Sequence, residues 1–136
     1  MSNFREAFEN TFHQLCLDKD KSAEFFGLFY LNFVESNPLI KTKFTNTDME
    51  VQRDMLKMSF VYLIDFSQTF EETKRLKTLA QIHSKVDKDI TANMYQHWLD
   101  ALIVTLEQVF PQLPQDTKLA WRIMLAPGIE YMKARY

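Results

Sequence analysis

The chain has 136 residues, of which 46% are hydrophobic and 14% aromatic, with 12 Phe. That length suits one domain around one core, expected to span residues 1–136. A net charge of −2 offers no electrostatic footprint for nucleic acid or an anionic membrane, and no run approaches the roughly 20 apolar residues of a membrane span.

With 2 Gly and 4 Pro the chain is too poor in turn formers for a β protein, and its patterning is helical nearly throughout. A first helix is predicted from about Phe4 to Leu17. Its opening, "MSNFREAFENTF", mixes charges into the apolar residues and does not read as a signal peptide. Cys16 is the one cysteine; it has no internal disulfide partner, which points to a reducing, cytoplasmic setting. "DKDKS" interrupts the pattern, and a second helix is predicted from Ala23 to about Ser36. Its inner stripe is Phe26, Phe29, Tyr30, Phe33 and Val34. In "SNPLIKTKF", Pro38 suits the first position of a short helix.

Thr47 or Asp48 then caps a long helix that runs to about Phe70. Its inner stripe is Met49, Gln52, Met55, Leu56, Ser59, Phe60 and Leu63. In the next stretch, "LKTLAQIHSKVDKDI", Leu76, Leu79, His83, Val86 and Ile90 are spaced to line one helix face. The basic run Lys74, Arg75, Lys77 reads as a solvated face. A long helix follows from about Ile90 to Phe110, "PQLPQD" is a loop, and a last helix starts near Thr117 and contains Pro127, expected to kink it. The sum is an all-α protein of six to seven helices.

Three helices thus each carry a polar group on an apolar stripe: Tyr30, Gln52 and His83. Singly, each reads as a buried polar residue satisfied by its neighbours. Together they suggest donors and a ligand turned toward something bound. Most metal chemistries lack their residues here. There is no H-E-x-x-H, no repeated Glu-x-x-His, and too few His and Cys for zinc, with His13 and His97 reading as surface or packing residues. One imidazole in a large apolar pocket suits a haem, because the porphyrin brings four ligands of its own.

The residues resemble the globin family, above all single-domain bacterial haemoglobins and the haem domain of flavohaemoglobins. "FYLNFVESNPLIKTKF" looks like the family's second and third helices and "TDMEVQRDML" like the start of its distal helix. "LAQIH" resembles the stretch with the proximal histidine, and "MYQHWLDALIVTL" and "AWRIMLAPGIEYM" resemble its last two helices. The resemblance implies a globin fold around one haem pocket and haem b as cofactor, with His83 as the iron ligand. Phe44, Leu56, Leu79, Tyr95 and Trp98 would contact the haem. The Leu79 carbonyl would accept from the second ring nitrogen of His83. Tyr30 and Gln52 would be the distal donors, although a shift of one turn would put Met55 or Leu56 in place of Gln52. Gly27 would let the second helix cross the distal helix closely. The chain departs from the family at the proximal glutamate, whose place falls at Tyr136, and at a glycine near Asp87.

A five-coordinate iron would bind dioxygen and other diatomic gases, tightly where Tyr30 and Gln52 donate hydrogen bonds. The resemblance implies an oxygen-binding protein more than an enzyme, with nitric oxide dioxygenation open to it given an external reductase. It implies no nucleic-acid or membrane partner, and either a monomer or a homodimer. Two readings stand beside it: a gas sensor acting through a protein partner, and a haem-free interaction module of globin fold.

Overall fold

Short polar side chains decide where the helices begin. The computed structural model describes residues 3–136, which form seven helices. The Asn3 side chain accepts from the Glu6 N–H at the start of α1 (Phe4–Leu17). Asn37 does the same for Leu39 at the start of α3 (Pro38–Lys43), with Pro38 in the first turn. Asp48 accepts from Glu50 and Val51 and opens α4 (Met49–Thr69). Thr73 accepts from Leu76 and opens α5 (Lys74–His83). Each satisfies N–H groups that the first helical turn leaves without partners. The two last helices, α6 (Ala92–Val109) and α7 (Gln115–Ala134), follow Thr91 and Pro114. Among the described residues no helix is long and apolar enough to cross a membrane.

Two expectations about boundaries need correction. The second helix, α2, spans Lys19–Glu35 and starts well before Ala23. Asp18 ends α1 and, through its carboxylate, caps α2 by accepting from Asp20 and Lys21. One residue therefore makes the break that the whole of "DKDKS" was expected to make. The stripe through His83 also stops short. α5 ends at His83, and Val86 lies in the following turn, 94% exposed. Ile90 returns to the interior by way of that turn, not by helical spacing, with its N–H donating to the His83 carbonyl.

The helices pack in pairs, α1 and α4 against α7 and α2 against α6. Aromatic rings knit these pairs together. Trp121 of α7 is fully buried, 4.5 Å from Phe8 of α1 and 5.9 Å, at right angles, from Phe60 of α4. Phe60 in turn meets Trp98 of α6, and Trp98 meets Phe29 of α2. Edge and tilted contacts of this kind add roughly 0.5–1.5 kcal/mol each beyond area burial. Among the described residues the Trp121 indole N–H has no hydrogen-bond acceptor.

α7 runs through Pro127 without a break, and the residue after it lies at a close crossing with α4. A Cβ placed on Gly128 would stand 2.5 Å from Leu63 Cδ2 and 3.1 Å from the Leu63 Cα on α4. Gly27, expected to play that part, does not: a Cβ there would meet only the far end of Arg53, at an ordinary 3.8 Å. Gly128→Ala should therefore destabilise the fold. Overpacking costs about 1–3 kcal/mol, while helix propensity returns up to about 1. A urea midpoint that does not fall would show that α4 and α7 can separate freely. Gly27→Ala should be neutral or stabilising in the same assay.

Candidate functional site

α5 is a short helix with one job for each face. Leu76 and Ala80 are buried against the core. Leu79 and His83, one turn apart, look into the interior between α4, α5 and α6. His83 Nδ1 lies 2.8 Å from the Leu79 carbonyl oxygen. A carbonyl can only accept, so Nδ1 carries the proton and Nε2 keeps a lone pair. Burial lowers the His83 pKa, partly offset by the Leu79 hydrogen bond and the charge of Asp87. At neutral pH the ring is thus an uncharged base with one free nitrogen.

His83 is also the last residue of its helix, and the turn after it is tied down by backbone bonds. Lys88 donates to Ile82, Ile90 donates to His83 and Asp89 donates to Ser84, with Asp89 in the left-handed region at φ 55°. Two partners come from elsewhere. The Lys43 ammonium donates to the Lys88 carbonyl. The Lys85 N–H donates to the Tyr136 carbonyl, and the Tyr136 hydroxyl donates to the Asp89 carboxylate. The end of α7 is therefore fastened to the loop that follows His83.

The imidazole faces a cavity of about 110 Å³ with predominantly apolar walls. The structure brings all eight of the sequence-predicted residues to its walls: Tyr30, Phe44, Gln52, Leu56, Leu79, His83, Tyr95 and Trp98. The Phe44 ring stands edge-on to Tyr30 and Phe33 and closes the α3 side. Leu56, one turn after Gln52, is buried. Sequence reasoning left out further wall residues: Met94 of α6, and Ile129 and Met132 of α7. The spacing of Met94 and Trp98, and of Ile129 and Met132, would have placed each pair on one helix face. Met55, counted in the inner stripe, is 46% exposed and forms part of the outer wall.

The polar groups differ in how they are held. The buried Tyr30 hydroxyl donates to the backbone carbonyl of Gln52, 3.1 Å away. Burial pushes its pKa up to about 12, partly offset by the Gln52 side chain and by Arg53. Tyr95 packs its ring 6.4 Å from that of His83. Its pKa is raised by burial alone, and its hydroxyl has no hydrogen-bond partner among the described residues. No carboxylate reaches it. Tyr136, where the related glutamate would fall, turns to Asp89 instead. Glu72 is committed to Arg135, 2.7 Å away, and to the Tyr131 hydroxyl. Among the described residues no three His, Cys, Asp or Glu side chains gather where they could hold a metal ion. A metal bound by His83 would have to bring its remaining ligands with it.

The fold has a counterpart. A solved structure of a protein from Pseudomonas aeruginosa PAO1, described as structurally highly homologous to a human hemoglobin, matches the chain with a TM-score of 0.88. The match covers 98% of each chain at 28% sequence identity. The fold is globin-like. No protein-family model matches the sequence, and no curated protein does. Within the globin-like fold, α2, α4, α5, α6 and α7 line the cavity, together with Phe44 after α3 and Ile90 before α6.

The buried neutral imidazole has a measurable consequence. Unfolded, His83 titrates near 6.5, and folded it titrates lower. Between those two values the unfolded chain binds a proton that the native chain refuses, so stability rises with pH there. The contribution is complete above about pH 6.5 and is lost as pH falls toward the lowered value. The melting temperature of the cofactor-free protein should drop from pH 7 to pH 5, and His83→Gln should flatten that part of the profile. Parallel profiles for the two proteins would mean that His83 is as easily protonated in the fold as out of it.

Proposed function

We propose that residues 1–136 form a single haem-binding globin domain that binds dioxygen and other diatomic gases. One observation carries the reading: a neutral imidazole, held by its own helix, is the one metal-binding nitrogen turned into an apolar cavity. Imidazole geometry and donor count fit a haem, since a porphyrin completes the ligand set that the chain does not provide. When bound, haem b would supply an iron with one coordination position open to a gas. His83 would be its protein ligand, with Leu79 fixing the ring's tautomer and orientation. Phe44, Leu56, Leu79, Tyr95 and Trp98 would enclose it and keep water out.

Tyr30 and Gln52, on α2 and α4, line the same cavity as His83. As hydrogen-bond donors they would hold a gas that gains negative charge, each contributing ~1–3 kcal/mol in a dry pocket. Their effect falls mainly on release, so oxygen should bind tightly and leave slowly. Binding rather than catalysis is the activity this supports; turnover of nitric oxide would need electrons from an external reductase. The lone cysteine favours a reducing, cytoplasmic setting. A gas sensor acting through another protein would use the same cavity, whereas a haem-free interaction module would have no use for an imidazole fixed in this way.

Two measurements test the reading. The purified protein should show the intense visible absorption of haem, and His83→Ala should lose most of the cofactor. A spectrum and haem content unchanged by that substitution would remove His83 as the ligand. Tyr30→Phe should speed oxygen dissociation several-fold in stopped-flow experiments, with haem content preserved. An unchanged off-rate would leave Tyr30 a packing residue bonded to Gln52.

A further inference from the structure

The outer face of α4 carries a second pattern, independent of the cavity. Val51, Met55, Met58 and Tyr62 are spaced 4, 3 and 4, the step of an apolar seam between two packed helices. A core helix should bury such a seam, yet Val51 is 53% exposed, Met55 46% and Met58 41%. These residues form one wall of an open groove of about 640 Å³ between α4 and α5. Thr78 and Ile82 form part of the other wall.

Charges of both signs border the groove. Asp54 lies on the α4 side, and Lys74 and Arg75 lie on the α5 side. Among the described residues none of the three has an ion-pair partner. Lys74 and Arg75 also occupy the first turn of α5, which has no acidic residue. Cations are unfavourable at the positive end of a helix dipole. A carboxylate arriving there from outside would be favoured twice, by the two cations and by the helix end.

We infer that this groove is the contact surface of a homodimer, in which α4 of each copy lies against α5 of the other. The charge pattern selects a second copy over an unrelated partner. A twofold axis brings Asp54 of one chain to Lys74 and Arg75 of its partner, and the same pairing occurs again in reverse. The exposed methionines supply adaptable apolar contact at the centre, and the charges form a rim that fixes register. Met55, Ser59 and Leu79 line both this groove and the inner cavity. The contact would therefore press on the wall that holds the His83 hydrogen-bond acceptor.

Sedimentation of the purified full chain tests the inference without reference to any cofactor. The protein should pass from monomer to dimer between micromolar and near-millimolar concentration. Met58→Glu should weaken association at least about tenfold while leaving helical circular dichroism and melting temperature unchanged. Asp54→Arg should be monomeric, and so should the Lys74→Asp/Arg75→Asp variant. Mixed in equal amounts, those two should associate, because each then offers the charge the other lacks. A wild-type chain that stays monomeric throughout overturns the inference. So do variants that associate like wild type, or a mixture no tighter than its components.

Discussion

The hydrogen bond from His83 Nδ1 to the Leu79 carbonyl governs what the cavity can do. Imidazole has two nitrogens and one proton to place when neutral, and in water the two tautomers interchange freely. Here the acceptor lies one turn back on the same helix, at a distance that helical geometry fixes. The proton is thereby assigned to Nδ1, and the lone pair is left on the nitrogen that faces open space. No distant residue has to be positioned for this; the helix that carries the histidine also orients it. Burial then adds its share, since a charged ring would lose hydration that the apolar walls cannot replace.

That local device works only if the walls opposite it stay in place, and aromatic packing holds them there. The contacts Phe8–Trp121–Phe60–Trp98–Phe29 run through α1, α7, α4, α6 and α2 in turn. Trp98 belongs both to this chain and to the cavity wall. The aromatic core thus reaches the pocket through Trp98. Gly128 sets how closely α7 can approach α4 at Leu63, itself a wall residue. The position of α4 relative to His83 is therefore fixed from behind, by glycine on one side and rings on the other.

Most of this was legible in the sequence because it is periodic. The inner stripes of α2 and α4 and the pairing of Leu79 with His83 follow from helical spacing, whereas Phe44, Tyr95 and Trp98 were named only through the resemblance; the structure lines one cavity with both sets. What periodicity could not show was where a pattern ends. The spacing of Leu79, His83, Val86 and Ile90 continues past the helix, because Ile90 regains the interior through a turn closed by the His83 and Ser84 carbonyls. Nor can spacing weigh one glycine against another: Gly27 and Gly128 both sit in helices, and only the packing of Leu63 tells them apart. Tyr136 shows a further limit. Its hydroxyl bonds to Asp89, a partner that no sequence pattern announces. The exposed seam on α4 was hidden for the opposite reason, since Met55 fits both an inner stripe and an outer one.

Tyr30 shows how such a site can discriminate among ligands. Its hydroxyl already has an acceptor in the Gln52 carbonyl, so a ligand gains from Tyr30 only by offering something better. A neutral ligand oxygen competes with a backbone carbonyl at no advantage. An oxygen that acquires negative charge does better, because hydrogen bonds to ionised acceptors are roughly twice as strong as neutral ones. The raised pKa of Tyr30, about 12, keeps the proton on the phenol and so keeps the donor intact across the physiological range. On the haem reading, the Gln52 carbonyl would act as a threshold: it would hold the phenol away from weakly polarised gases and release it to those that draw electrons from the metal. Discrimination would then rest on charge developed after binding, and not on the size of the pocket.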